Sequence, residues 1–353
     1  MQLFRCENCG QRLYFDNTRC VHCGAHQGFD PDTLSMKVYD PAAAASVGHY
    51  RACTNARQVG ICNWLIPPSS DASYCLSCRL SMVIPDLGVP GHIELWASLE
   101  EEKRRLLYSL LSLKLPLVSR QQDPVNGLGF RFMADAPDGD SERVLIGHQD
   151  GIITLNIAEA DPVVREATRR QMAEPYRTIL GHFRHEAGHY YWQLLVKDSD
   201  HIEPFRRRFG DERQDYAQAL ERQYQIGPMA DWQQYYVSAY ASAHPWEDWA
   251  ETWAHYLHMV DTLDTAYQFG LSTAPRPAQS VEVQLNSNPY RDAGFDTLIA
   301  QWLPLTAALN SLNHSMGYDD VYPFSLSAAV IDKLAMVHGI IHGLPIRQGV
   351  QTN

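Results

Sequence analysis

The chain has 353 residues, 45% hydrophobic and 20% charged, an ordinary composition for a globular protein long enough for one large and one small domain. Its formal net charge of −12 argues against a general nucleic-acid or anionic-membrane binder, because such proteins rely on clustered Lys and Arg. No apolar run is long enough to span a bilayer, and the opening MQLFRCENCG lacks the apolar core of a signal peptide, so we expect a cytoplasmic protein without a membrane partner.

All eight cysteines lie near the N-terminus, between positions 6 and 78. The first four form two C-x-x-C knuckles, Cys6 with Cys9 and Cys20 with Cys23. Each knuckle is a tight turn that delivers two thiolates, and the glycine after each second cysteine allows a positive φ there. Four thiolates at this spacing predict a structural zinc ribbon, since disulfides fit poorly with a chain lacking an export signal.

The remaining four cysteines form a less regular set that ends in one knuckle: Cys53, Cys62, Cys75 and Cys78. Their number and clustering predict a second structural zinc site. His22 and His49 are close enough in sequence to replace a ligand in either site, although surface positions are the commoner use of such histidines. A segment this short builds little core, so we expect zinc to supply most of its folding free energy.

The turn-rich stretch PDLGVPG, residues 85–91, marks a boundary between a zinc-ribbon domain over 1–90 and a larger domain over 91–353. From His92, apolar residues recur at helical spacing up to Pro116, which predicts a long helix. GFRFMAD and RVLIGHQDGIITLNIA then predict a small antiparallel sheet. Its segment Ile153–Ile157 could pair, as an edge strand, with an extended peptide, or could pair within the sheet.

The stretch GHFRHEAGHYYWQLL contains a complete H-E-x-x-H. On a helix, His185 and His189 lie one turn apart on the same face, where both imidazoles can reach one ion. Glu186 sits at the rim of that face and can take a proton from a water on the ion. A zinc hydrolase needs this set of two nitrogen ligands, an open position and a base. The alternative is a helix with three histidines, His182 included, on a polar face.

A third ligand is predicted from the helix that begins at Pro245, since proline suits a first helical turn and acidic residues suit its positive end. Glu247 and Glu251 are one turn apart, so one can bind zinc while the other accepts a hydrogen bond from a ligand histidine. The alternative is a solvated acidic helix start, but three tryptophans flank the pair. His244 is a poorer ligand candidate because it precedes the helix, and it could also act as a transition-state donor.

Three further helices are predicted by their sequences, ERQDYAQALERQYQIG before this one and DTLIAQWLPLTAALNSLNHSMG and SLSAAVIDKLAMVHGIIHGL after it. The two C-terminal helices are expected to close the core of the larger domain. Helices therefore dominate the prediction, and the fold class is α+β, mainly α.

The blocks GHFRHEAGHYYW, FGDERQDYAQAL and VSAYASAHPWEDWAETWAHYLH resemble those of bacterial zinc-binding metallopeptidases that join an N-terminal zinc ribbon to a catalytic domain. The resemblance covers almost the whole chain and implies a zincin-like domain of the gluzincin type, in which HExxH is followed by a helical glutamate. It implies that His185, His189 and Glu247 are zinc ligands, that Glu186 is the general base, and that Glu251 binds a ligand histidine.

In lethal-factor-type gluzincins, a tyrosine seven residues before the ligand glutamate helps to hold the developing oxyanion. Tyr240 has that spacing here, so the resemblance makes it the candidate electrophile; an ordinary core or surface tyrosine is the alternative.

The sequence therefore predicts a zinc metallopeptidase with one catalytic and two structural Zn²⁺ ions that cleaves a peptide or protein substrate. Two alternatives are a zinc-stabilised binding or assembly protein that keeps the peptidase fold without turnover, and a zinc amidase with a non-peptide substrate. The ribbon domain could recruit a protein partner, cover the cleft or brace the fold.

Overall fold

The protein is described by a computed structural model, which covers residues 2–43, 48–136, 144, 146–171, 178–273, 283–291 and 294–345. Residues 143 and 145, part of the predicted sheet segment, lie outside the described residues. The chain forms two compact units, residues 1–183 and 184–353. Helices dominate and the strands are short, so the predicted α+β, mainly helical class is confirmed.

The first unit begins with short antiparallel hairpins and two short helices. The strand pairs are β1 (Phe4–Arg5) with β2 (Arg12–Leu13), β3 (Gln27–Asp30) with β4 (Ser35–Val38), and β5 (Arg51–Ala52) with β6 (Leu65–Ile66). The helices are α1 (Thr54–Gln58) and α2 (Leu76–Arg79). Such short elements bury little surface of their own, which is typical of a fold held by metal sites.

A small aromatic core nevertheless lies among these hairpins. The rings of Phe15 and Phe29 are 5.0 Å apart, edge to face, and Phe29 lies 5.0 Å from Trp64. Tyr108, from the following helix, completes the group with its ring 5.4 Å from that of Phe15. The cysteine-rich segment therefore shares an apolar core with the helix that follows it, in addition to its metal sites.

That helix, α3 (His92–Ser112), begins at the predicted residue and ends before Pro116, as predicted. Lys103 and Glu100 form an ion pair of 2.9 Å, and neither side chain has exposed surface. Lys103 also donates to the carbonyl oxygen of Ser77 at 3.1 Å, and Arg104 donates to that of Ile61 at 2.8 Å. These contacts cross the domain boundary predicted at residue 90, which stays a prediction.

The predicted sheet is present with four strands in the order β7 (Ser81–Val83), β8 (Gly129–Met133), β10 (Ile152–Asn156) and β9 (Gly147–Gln149). The pair β9–β10 is antiparallel, but β8 pairs parallel with both β7 and β10, so the prediction of a purely antiparallel sheet was wrong. The connection over residues 134–151 is long enough for a parallel return, which the sequence pattern alone does not reveal. Strand β10 lies between two others and is not an edge strand.

After α4 (Pro162–Gln171) comes α5 (Ile179–Leu195), the helix of the HExxH motif, and the division between the units falls inside it. The second unit continues with α6 (Ile202–Phe209), α7 (Tyr216–Ile226), α8 (Pro245–Phe269), β11 (Ser272–Thr273), β12 (Val283–Gln284), α9 (Phe295–Ser315) and α10 (Ala328–Ile341). The predicted helices of this part are all present. Among the described helices, none has the length and apolar character to cross a membrane.

Helices α5 and α8 approach closely at Gly188, inside the HExxH motif. A Cβ atom on Gly188 would lie 2.9 Å from Ala250 Cα and 3.1 Å from Trp253 Cβ. The carbonyl oxygen of Gly188 accepts a hydrogen bond of 2.9 Å from Trp249 Nε1. Glycine therefore allows the helix with the two histidines to lie against the helix with the two glutamates.

Replacing Gly188 with Ala should lower the free energy of unfolding by about 1–3 kcal/mol, because the added methyl group overpacks this crossing. Chemical denaturation followed by tryptophan fluorescence measures the change. The matched control is Gly339→Ala in α10, where a Cβ atom would meet no atom nearer than Leu344 O at 3.7 Å. That substitution should be neutral or stabilising by up to about 1 kcal/mol. Equal effects at both positions would contradict a tight crossing at Gly188.

Candidate active site and metal centres

The first four cysteines form one cluster, in which Cys6 Sγ lies 3.7 Å from Cys23 Sγ and Cys9 Sγ lies 3.6 Å from Cys20 Sγ. Four sulfurs around one zinc ion at about 2.3 Å would be separated by roughly 3.8 Å. The two knuckles use the same turn: Gly10 and Gly24 have φ of +74° and +73°, and their N–H groups donate to the carbonyl oxygens of Cys6 and Cys20. The cluster has the geometry predicted for a zinc knuckle pair.

The second cysteine cluster is fully buried and also assembles as predicted. Cys62 Sγ lies 3.6 Å from Cys75 Sγ. Backbone N–H groups donate to the sulfurs, from Trp64 to Cys62 and from Cys75 to Cys53, each at 3.4 Å. Such donors stabilise thiolates. His22 and His49 are exposed and belong to neither cluster. All eight cysteines are free of disulfides.

The third cluster joins α5 to the first turn of α8. His185 Nε2 lies 3.2 Å from His189 Nε2 and 3.0 Å from Glu247 Oε2, and His189 Nε2 lies 3.6 Å from Glu247 Oε1. Ligands bound to zinc at 2.0–2.1 Å would be separated by roughly 3.4 Å. The three side chains are only 12%, 5% and 1% exposed. This donor set therefore fits one zinc ion and leaves a fourth position for water or substrate.

Glu251 lies one turn beyond Glu247 and binds the other side of the first histidine. The Nδ1 atom of His185 is 2.7 Å from Glu251 Oε1, so the proton of the neutral ring belongs on Nδ1, and Nε2 faces the cluster. The Ser238 hydroxyl donates to Glu251 Oε2 at 2.6 Å and accepts from the N–H group of Ala241 at 3.1 Å. Glu251 thus orients His185, and Ser238 orients Glu251.

Two carboxylates concentrate negative charge on this site. Burial by itself would lower the pKa of His185, but Glu247 and Glu251 raise that pKa well above its ordinary value. Burial opposes the ionisation of Glu247 as well, yet His189 and His185 hold the pKa of this carboxyl group well below its usual range. A divalent cation would neutralise this charge, which supports the fit of a zinc ion to the donor set.

Glu186, the candidate base, is 6% exposed and follows His185 on α5. Tyr240, the candidate electrophile, begins a short 3₁₀ turn, Tyr240–Ser242, and its ring lies 6.0 Å from that of His185. Burial and the charge of Glu247 raise the pKa of Tyr240, so its hydroxyl group keeps its proton and can donate a hydrogen bond. The Tyr240 ring thus lies next to His185, and Glu186 is a buried residue on the helix of the two histidines. The roles of both residues stay predictions.

His244 lies at the N-cap of α8, and both of its ring nitrogens contact the backbone. Nδ1 accepts a hydrogen bond from the N–H group of Trp246 at 3.1 Å, and Nε2 lies 3.2 Å from the carbonyl oxygen of Gln214. These contacts assign His244 to helix capping. Its roles as a ligand or as a transition-state donor stay predictions, and the geometry favours Glu247 for the first and Tyr240 for the second.

Sequence reasoning missed Tyr216, the first residue of α7. Its hydroxyl group donates to Glu247 Oε1 at 2.6 Å. Partial burial and the charge of Glu247 raise the pKa of Tyr216, which keeps the hydroxyl group protonated. Tyr216 belongs to the block FGDERQDYAQAL, but no helical or strand spacing relates it to Glu247. Ser238 was missed for the same reason.

A buried ion pair connects the first turn of α8 to α10. Lys333 Nζ donates to Asp248 Oδ2 at 2.6 Å and to the carbonyl oxygen of Tyr235 at 2.7 Å. The two side chains are 7% and 0% exposed. Asp248 therefore anchors the turn that carries Glu247.

Comparisons with known proteins agree with these features. Residues 92–340 match the model of a family described as "Putative zinc-binding metallo-peptidase", and residues 3–89 match a zinc-ribbon domain. Two proteins named only as uncharacterized, from Mycobacterium bovis and Mycobacterium tuberculosis, are 45% identical to this chain over 343 residues. Each match covers 97% of this chain and 95% of the relative. No solved structure matches the chain.

The three clusters predict three zinc ions per chain, which elemental analysis of the purified protein can count. His189→Ala removes one of the donors of the His185 cluster and should leave two ions. Cys62→Ser removes a buried thiolate and should also leave two zinc ions per chain. This variant should lose more stability, because the short elements of the cysteine-rich segment depend on their metal sites for folding. A count of two in the unchanged protein, not lowered by His189→Ala, would contradict the histidine–glutamate site.

Proposed function

Because the chain belongs to the family of zinc-binding metallopeptidases that residues 92–340 match, we propose that it hydrolyses peptide bonds in a peptide or protein substrate. Zinc would be held by His185, His189 and Glu247, with Glu186 as the general base. The observation that carries the proposal is the convergence of these three donors within 4.8 Å of one another. The buried Glu186, on the same helix as the two histidines, is not part of this donor set.

When bound, a zinc ion supplies Lewis acidity, which makes water a nucleophile at neutral pH and polarises a carbonyl group. Glu186 accepts the proton of the attacking water and then passes it to the leaving amine. Because Glu186 is buried, its carboxylate is shielded from bulk water. Tyr240 keeps its phenolic proton and donates a hydrogen bond to the oxygen atom that gains charge.

The hydrogen bonds around the site keep these groups in place. Glu251 accepts the Nδ1 proton of His185 and so presents Nε2 to the metal. Ser238 ties Glu251 to the turn that begins at Tyr240, through the N–H group of Ala241. One short chain of hydrogen bonds therefore links His185 to the turn that carries Tyr240.

Replacing Glu186 with Gln should lower the rate of peptide hydrolysis by a factor of about 10²–10⁴. The amide keeps the shape of the carboxylate but cannot accept the proton. The zinc content should stay at three ions per chain, since Glu186 is outside the ligand set. Cleavage of a peptide library, followed by mass spectrometry with and without a chelator, measures the activity. Glu203→Gln, at a side chain 66% exposed on α6, is the matched control and should keep full activity.

Unchanged hydrolysis by the Glu186→Gln variant would exclude Glu186 as the base. If the unchanged protein binds three zinc ions but cleaves no peptide, the binding or assembly alternative replaces the peptidase. Hydrolysis of small amides without cleavage of any peptide would favour the amidase alternative.

A further inference from the structure

The two oxygen atoms of Glu247 have different neighbours. Oε1 accepts the 2.6 Å hydrogen bond from Tyr216. Oε2 is buried, accepts no hydrogen bond from the described residues, and lies 3.0 Å from His185 Nε2. That separation is close to the spacing of two ligands on one zinc ion. Oε1 also faces the cluster, 3.6 Å from His189 Nε2, but the Tyr216 hydroxyl group occupies one of its lone pairs. Oε2 is therefore the oxygen that is more available to a metal.

We infer that Tyr216 is a positioning residue, which holds Glu247 as a zinc ligand through the single oxygen Oε2. A carboxylate that turns both oxygens to the metal would fill an extra position, and the hydrogen bond to Oε1 opposes this rotation. The position needed for water or substrate then stays open. This inference rests on the zinc site of the proposed function, and it adds a residue that lies outside the HExxH motif and the Glu247–Glu251 pair.

The surroundings of Tyr216 fix the direction of its hydroxyl group. Its ring packs edge to face against the rings of His244, at 5.3 Å, and Trp246, at 5.7 Å, which flank the proline that begins α8. Asp215 caps α7 by accepting a hydrogen bond of 3.0 Å from the N–H group of Gln218. The capped start of α7 fixes the backbone of Tyr216, and the start of the helix that carries Glu247 fixes its ring.

No residue of helix α7 lies in the core, and Tyr216 itself is only partly buried, with 38% of its surface exposed. Besides the Tyr216 hydroxyl group, Gln223 Nε2 connects α7 to the segment before α8 by donating to the carbonyl oxygen of Ala239 at 3.1 Å. A helix with so little burial depends on such polar contacts to keep its place. Loss of the Tyr216 hydroxyl group should therefore change both the metal ligand and the order of this helix.

The test uses the full-length Tyr216→Phe variant, which keeps the ring and removes the hydroxyl group. We expect the affinity of the histidine–glutamate site for zinc to fall about 10- to 100-fold, the usual effect of removing a hydrogen-bond partner of a metal ligand. Competition with a chelator measures the affinity. The His189→Ala variant, which should bind zinc only at the two cysteine sites, gives the contribution of those sites, and this is subtracted from the total. The matched control is Tyr224→Phe on the same helix, a side chain 63% exposed, which should bind zinc as the unchanged protein does.

A second measurement reports the number of ligands. With cobalt in place of zinc, the visible absorption of the Tyr216→Phe variant should weaken, because a glutamate that binds through both oxygens raises the coordination number. Hydrogen exchange over 216–226 should become faster. A zinc affinity and a cobalt spectrum equal to those of the unchanged protein would overturn the inference, even if hydrolysis fell.

These outcomes are distinct from failure of the proposed function. If Tyr216→Phe weakens zinc binding but the unchanged protein cleaves no peptide, the positioning role stands and the peptidase activity does not. If the unchanged protein holds no metal at this site, the inference is overturned together with the site.

Discussion

The close crossing of α5 and α8 is the constraint on which the candidate site depends. Two candidate ligands come from one helix and the third from the other, so the site can hold one ion only if the two helices lie close together. Gly188 makes this possible, because any side chain there would meet the backbone of Ala250 at 2.9 Å. The second variable position of HExxH is thus a packing requirement here, whereas the first, Ala187, is an ordinary buried residue.

The crossing positions α8 as a whole, but other contacts fix the orientation of its first two turns, which carry Glu247 and Glu251. His244 caps the turn, Asp248 binds Lys333 of α10, and Glu251 is held by Ser238. A buried carboxylate costs free energy unless charge or hydrogen bonds compensate it, and each of these acids has such a partner. Lys333 and Ser238 come from two different parts of the second unit, so the candidate ligand Glu247 is positioned by the tertiary fold and not by its own helix alone.

The parts of the site that could be predicted are those that depend on local spacing. Residues four apart share a helix face, so His185 with His189, and Glu247 with Glu251, follow from the sequence, and so do the knuckles around Gly10. Tyr216 and Ser238 could not be predicted, because each reaches its carboxylate through the fold and no periodicity connects them. The parallel pairing of β8 was missed for a similar reason: residue patterns show that a strand exists, but its neighbours depend on the path of the chain.

The same distinction bears on the cysteine-rich segment. Its eight thiols predict two metal sites from spacing alone, but the segment also completes a core with Tyr108 and supplies backbone acceptors to Lys103 and Arg104 of α3. A buried Lys–Glu pair is stable only while its remaining hydrogen-bonding groups stay satisfied, and Ser77 provides one acceptor for Lys103. Separation at residue 90 would remove that acceptor and expose the pair to water. The segment therefore braces α3 directly, whether or not it also recruits a partner.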